Sequence, residues 1–440
     1  MKTKNHLLPF LSLLLALALC LSLGLAGCDS GGVSVLSAAV NEGGELVITY
    51  TDGRTENLGV LSGTSVTAGD YYTIRVSEST DTTAAVATQG LLGAVSIRCT
   101  FTQRGAGASM GFFPGTGGGQ STYESAGAGV IYQLDKAAGD AVILTNYHVV
   151  YSASCDTDNR ISDDITVYLF GAEGDGQGIT ATYVGGSMYY DIAVLRVTGS
   201  AALRQSAATA VTFADSDSVA AGETAIAIGN PQGDGTAVTR GIVSVPSEYI
   251  TMTTADSSGK VSFRVIRVDT AVNSGNSGGG LYNARGQLIG LVNAKVSDGD
   301  VENIGYAIPS NVVRAVAENI LYYCAGGNCE TVQRALLGIT VTGTDAHAVV
   351  DATRGTVHTE ETVSVYEVSA SGLCAGALQA GDILRTATIG GETFTITARH
   401  QLIDRMLYLH AGDSLTLTFE RGGVEASVTL TVSAGNISAY

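Results

Sequence analysis

The chain has 440 residues, enough for two or three domains. Hydrophobic residues make up 45% and charged residues only 15%, with no Trp, a balance that favours strands over helices. The formal charge of −18, with no basic cluster, excludes nucleic acid and anionic lipid headgroups as partners.

Lys2 and Lys4 precede an apolar run from Leu7 to Leu25, which ends in LAGC at Leu25–Cys28. That is the pattern of a secretory signal peptide over residues 1–27. The LAGC ending resembles a bacterial lipobox, which implies cleavage before Cys28 and a lipid on its sulfur. Uncleaved, the same run is long enough to span a membrane. Both readings tether the protein outside the cytoplasm, and Asp29 resembles the signal that retains lipoproteins in the inner (cytoplasmic) membrane. Five further cysteines follow: Cys99, Cys155, Cys324, Cys329 and Cys374. An odd number leaves at least one free or paired between chains. Cys324 and Cys329 bracket the short loop AGGN and can close on it; Cys99 with Cys155 is the weaker pairing. Cys374 reads as a small buried apolar residue. No His or Cys stands at metal-ligand spacing, so neither a metal nor another cofactor is expected.

Residues 28–85 divide into a hairpin, LVITYTDGRTENLGVL with a turn at Asp52–Gly53, and a Ser/Thr/Ala-rich linker from residue 63. From 86 to 325 short strands recur with turn signals between them, the mark of a sandwich or a pair of barrels. A helix closes this part at SNVVRAVAENILYY. There Val312, Val313, Val316, Ile320 and Leu321 share one face and Ser310 can cap the start. The last part, 330–436, mixes strands with a second helix candidate around His400–Leu409.

His148 is the single histidine of the mature chain before residue 347, set after the apolar run AVILTNY. Asp191 heads the apolar segment DIAVLRV, and Ser277 lies in GNSGG. A lone strand-end His, an acid at a strand start and a Gly/Asn/Ser turn are each ordinary structural features taken singly. Taken in order, they are the parts of a nucleophilic device. A serine hydroxyl needs a neutral imidazole to take its proton, and the imidazole needs a carboxylate to fix its tautomer. His, Asp, Ser is the order of chymotrypsin-type barrels. The backbone N–H groups of Gly275 and Ser277 can converge on a developing oxyanion. Gly278 and Gly279 are expected to keep bulk away from the scissile carbonyl.

Five stretches, TNYHVV, DIAVLRV, AIAIGNPQG with TAVTRGIVSV, DTAVNSGNSGGGLYNARGQLIGLVNAK and IGYAIPSNVV, together resemble the HtrA (Deg) family of serine proteases. The resemblance runs from about residue 86 onward. It implies a mainly β fold: a chymotrypsin/trypsin-like double β-barrel followed by a PDZ domain. It also implies His148 as general base, Asp191 as orienting acid, Ser277 as nucleophile, a Gly275/Ser277 oxyanion hole and a trimer of catalytic domains. The chain departs from the family at SAGAGVI (125–131), at Gly280, which stands where a proline is common and should loosen the strand after the nucleophile, and in the glycine-rich insertion 102–124. Pocket walls are expected from Val272 and Asn273 and from Ala294 and Lys295, where no acid sits, so small or medium aliphatic residues should precede the cut. In the C-terminal part, RALLGIT and VYEVSASGLCAGALQAGDIL resemble a PDZ domain, which implies that Leu337, Gly338 and Ile339 form the loop for a peptide's terminal carboxylate. His400 is expected to be exposed. The reading is a membrane-tethered endopeptidase for unfolded or damaged exported proteins. A catalytically weak binding or holdase-type protein on the same fold is the competing class.

Overall fold

The computed structural model describes residues 35–40, 45–50, 53–60, 83–103, 121–172, 176–233, 235–293, 304–324 and 331–440. Cys28, Cys329, Ala294, Lys295 and the core of the 102–124 insertion lie outside these. The chain forms two compact units, Met1–Thr80 and Asp81–Tyr440. In the first, β1 (Val35–Val40), β2 (Glu45–Tyr50) and β3 (Thr55–Val60) form an antiparallel sheet. The expected hairpin is present, with a third strand added to it. Its turn is closed by the Tyr50 N–H donating to Arg54 O at 2.9 Å.

The second unit opens on helix α1 (Thr83–Gly93), which the sequence reading places partly in a linker. Its apolar residues follow no clear stripe; tertiary contact makes it a helix that packs. A Cβ on Gly90 would fall 2.4 Å from Ile228 Cδ1, so the glycine admits the barrel beneath.

Two closed barrels of six antiparallel strands follow, one of the two architectures that the turn-punctuated strand pattern allows. The first comprises β4 (Ala94–Gln103), β5 (Ser121–Asp135), β6 (Asp140–Thr145), β7 (Asp164–Leu169), β8 (Ile179–Ser187) and β9 (Ile192–Val197), in the order β4-β5-β6-β9-β8-β7. The second comprises β10 (Thr224–Gly229), β11 (Ala237–Thr253), β12 (Lys260–Val268), β13 (Gly280–Tyr282), β14 (Leu288–Val292) and β15 (Gly305–Pro309), in the order β10-β11-β12-β15-β14-β13. Gly280 does not leave β13 unpaired: it faces Ile228 on one side and Leu291 on the other. Val130, Leu144 and Ile192 of the first barrel share one buried cluster with Ile226, Ile228 and Leu291 of the second. Each such side chain contributes about 1.5–3 kcal/mol by burial, so the cleft between the barrels has stiff walls.

One α-helix, α2 (Tyr147–Val150), holds the chain after β6. Another, α3 (Ser310–Tyr323), buries Val312, Val313, Val316 and Ile320 as expected. Ser310 is not its cap: its hydroxyl donates to Ala214 O at 2.8 Å inside the fold. Cys324 is disulfide-bonded. Cys99, Cys155 and Cys374 are free and buried, which rules out the Cys99–Cys155 pairing. Among the described residues no helix is long and apolar enough to cross a membrane.

The C-terminal module carries β16 (Gln333–Ala335), β17 (Ile339–Asp351), β18 (Thr356–Val368), β19 (Ile383–Ile389), β20 (Glu392–Thr395), helix α4 (Arg399–Arg405), β21 (Ser414–Arg421), β22 (Val424–Thr431) and β23 (Ile437–Ala439). Its sheet runs β17-β18-β19-β21-β22, leaving β17 on an edge. β23 pairs with β16, so the module extends past residue 436.

Polar groups fasten this module to the barrels. The Asn319 side chain donates to Gln333 O and Leu407 O, both at 2.7 Å, and accepts from Gln333 N–H at 2.9 Å. Arg264, in β12, reaches Asp217 at 2.9 Å and Asp404 of α4 at 2.7 Å. Burial acts to raise the Asp217 carboxyl, but His400, Arg264 and Arg405 outweigh it and hold that group well below the usual range. Asp404 is pushed up, chiefly by burial, because its share of one guanidinium does not offset the water it lost.

Candidate active site

His148 stands on α2, just beyond the end of β6. β6 pairs with β9 so that Thr145 faces Ala193, and this register sets Asp191, just before β9, beside residue 148. Asp191 is buried and adopts a left-handed backbone with φ of +53°. For a non-glycine residue such a backbone costs about 1 kcal/mol or more, and persists only where the surroundings fix it. Here the Asn146 side-chain amide donates to the Asp191 carbonyl at 2.9 Å.

The Asp191 carboxylate is fully engaged. Oδ1 accepts the His148 backbone N–H at 3.0 Å, and Oδ2 pairs with His148 Nδ1 at 2.7 Å. Asn293, at the end of β14, donates its amide to the same Oδ2 at 2.9 Å. A carboxylate on Nδ1 makes that nitrogen the donor and leaves Nε2 to accept a proton. The reading from sequence missed Asn293 and Asn146; an Asn directly after each of the strand runs VILT and LIGLV was the available signal.

Ser277 sits in the turn between β12 and β13. Its carbonyl accepts from Ala128 N–H of the first barrel at 2.9 Å, and Gly278 N–H donates to Val292 O at 2.9 Å. Gly278 has φ of +82°, and a Cβ there would fall 2.2 Å from Ala128 O and 2.3 Å from Thr145 Oγ1. At Gly279 it would meet Ile228 O at 2.2 Å. These glycines therefore admit the barrel atoms packed against the turn. Gly275 takes a left-handed backbone, with φ of +95°.

His148 and Ser277 line one cleft of about 370 Å³, together with Tyr151, Ser152, Ala153, Ala255 and Ser274. None of these lining residues is an Asp, Glu, Lys or Arg. Neither Val272 nor Asn273 lines this cleft. Val272 packs onto the core of the second barrel, because an apolar side chain beside that core is drawn inward, and Asn273 is exposed.

A larger cavity of about 750 Å³ lies between the C-terminal sheet and the second barrel. Leu337, Gly338, Ile339, Leu402 and Met406 line it from the C-terminal module, while Tyr249 and Arg264 line it from the barrel. His400 is not the exposed helical residue expected: its side chain is only 17% exposed and lies 3.7 Å from Asp217.

Residues 127–291 match the family model of the trypsin-like peptidase domain. The chain is 31% identical over 417 residues to the serine protease Do-like HtrA of Lactococcus lactis subsp. cremoris (strain MG1363), covering 91% of this chain and 93% of that protein. It is 40% identical over 204 residues to the serine protease Do-like HtrA of Bacillus subtilis (strain 168), or 46% of this chain and 40% of that one. Against the periplasmic serine endoprotease DegP of Escherichia coli (strain K12) identity is 33% over 319 residues, 72% of this chain and 59% of that protein. With its two barrels and the cleft between them, the chain belongs to the HtrA family of serine proteases and is a serine endopeptidase.

Proposed function

We propose that the chain cleaves unfolded or damaged exported polypeptides through Ser277, His148 and Asp191, outside the cytoplasm and tethered by a lipid on Cys28. His148 Nε2 takes the Ser277 proton as the hydroxyl attacks the carbonyl, and later gives it to the leaving amine. Asp191 holds the imidazole and balances its positive charge. The amides of Gly275 and Ser277 receive the oxyanion, whose stabilisation in place is the larger part of such catalysis. The observation that carries this reading is the double grip of Asp191 on His148, side chain and backbone, beside Ser277 in one cleft.

The C-terminal module is read as a PDZ domain. A peptide adds to the free edge of β17, its carboxylate on the amides of Leu337, Gly338 and Ile339 and its last side chain near Leu402 and Met406. An uncharged cleft fits small or medium aliphatic residues before the cut, and the catalytic domains are read as trimeric. Hydrolysis of labelled casein tests the enzyme reading: Ser277→Ala should abolish it. Full cleavage by that variant would reject the assignment and favour a binding protein.

A further inference from the structure

We propose that Asn146 is a positioning residue for the reaction: its side-chain amide holds Asp191 in the left-handed backbone from which the carboxylate grips His148. The inference rests on the reading of His148, Asp191 and Ser277 as the reacting groups. Asn146 stands just before α2 with an extended backbone, φ of −78° and ψ of 149°. An Asn at that place ordinarily turns its side chain onto the second or third N–H of the helix. Here it makes no such bond. The second N–H, that of His148, goes instead to Asp191 Oδ1 at 3.0 Å, and the third, that of Val149, goes to the Asn146 carbonyl at 3.2 Å. Released from capping, the Asn146 amide donates to the Asp191 carbonyl at 2.9 Å.

Two residues 45 positions apart thus exchange roles. Asp191 caps the helix that Asn146 begins, and Asn146 secures the backbone that carries Asp191. The bonds close a ring: from the Asn146 side chain to the Asp191 carbonyl, from the Asp191 carboxylate to the N–H and ring of His148, and back along α2. Opening the first link lets the φ of +53° at Asp191 relax, because that backbone is costly without support. The carboxylate then turns with the backbone and leaves Nδ1, and the imidazole loses the partner that fixes its tautomer. Asn146 is fully buried, and its Oδ1 has no hydrogen-bond partner among the described residues. An unpaired buried oxygen lowers stability, so the donor half of this amide is what the site uses.

The test measures hydrolysis of labelled casein by wild type, Asn146→Ala and Asn146→Asp, each checked for folding by its melting temperature. Asn146 does not line the catalytic cleft, so KM should hold in Asn146→Ala. Its kcat should fall by about 10–100-fold, the upper figure being the cost of a misplacement of about 1 Å at a reacting group. Asn146→Asp keeps the shape but donates only while the new carboxyl holds its proton. Asp191 and His148 are the titratable side chains bonded around this position, and burial beside the Asp191 charge keeps that proton on to higher pH than usual. The kcat of Asn146→Asp relative to wild type should therefore be highest at about pH 5 and fall toward about pH 8. An ionised carboxyl acting only as a nearby charge would favour the imidazolium, depress activity most at about pH 5, and give the opposite slope. That opposite slope, a folded Asn146→Ala with wild-type kcat, or a loss confined to KM would overturn the proposal and leave the three reacting groups in place. If Asn146→Ala does not fold, the slope in Asn146→Asp decides. Full cleavage by Ser277→Ala would remove the reading on which the proposal stands.

Discussion

Replacing Arg264 by Met should loosen the C-terminal module more than any surface charge change. The guanidinium side chain is 2% exposed and sits between carboxylates that are 13% (Asp217) and 11% (Asp404) exposed. Pairs this deep fall in the regime where removing one partner costs about 3–5 kcal/mol, because the charges left behind remain buried. Taking about 2 °C per kcal/mol for a long chain, the melting temperature should fall by about 6–10 °C. Arg385→Ala is the control, since Arg385 and Glu420 are 47% and 33% exposed and such pairs contribute about 1 kcal/mol or less. The double variant Arg264→Met with Asp404→Leu should recover much of the loss. It removes the second orphaned charge, while Asp217 keeps His400 at 3.7 Å and Arg405 at 3.8 Å. Urea unfolding and limited proteolysis between the barrels and the module would read the change. A loss under about 1 kcal/mol for Arg264→Met would refute the reasoning that the guanidinium is the main counter-charge of this node.

Gly278→Ala should cripple the enzyme even where it folds. The new Cβ, 2.2 Å from Ala128 O, must retreat about 1 Å, and a shift of that size at a reacting group costs about 100-fold in kcat; near-normal kcat would contradict the packing argument. The Asp382 carboxyl is held below the usual range, mainly by its paired hydrogen bonds with Arg421, against the opposing effect of burial. Its contribution to stability is therefore present above the unfolded carboxylate value of about 3.9 and drains away as pH falls through the lower folded value. Asp382→Asn should accordingly destabilise the protein more at pH 7 than at pH 2, and equal losses at both would count against the pairing.

The residues proposed for the chemistry, His148, Asp191 and Ser277, were legible from their order along the chain and their places at strand edges. Barrels were legible from strand spacing, and α3 from its periodic apolar face. Less visible was anything decided by distant backbone. Helix α1 carries two glycines and no sharp apolar stripe, so only its seat on Ile228 reveals it. Val272 was drawn to the pocket by proximity in sequence, yet its side chain joins the barrel core. That Gly278 and Gly279 also admit Ala128 and Ile228 was not visible, since those residues come from strands far along the chain. Arg264 looks like an ordinary polar residue of β12; its partners lie 47 and 140 positions away, and no local pattern announces them.

The most direct measurement is covalent labelling by an active-site-directed fluorophosphonate, with the adduct mapped by peptide mass spectrometry. The account predicts a single modified serine, Ser277, in the wild-type protein and a steep loss of labelling in His148→Ala. A label on another serine, or undiminished labelling of Ser277 without the imidazole, would contradict it.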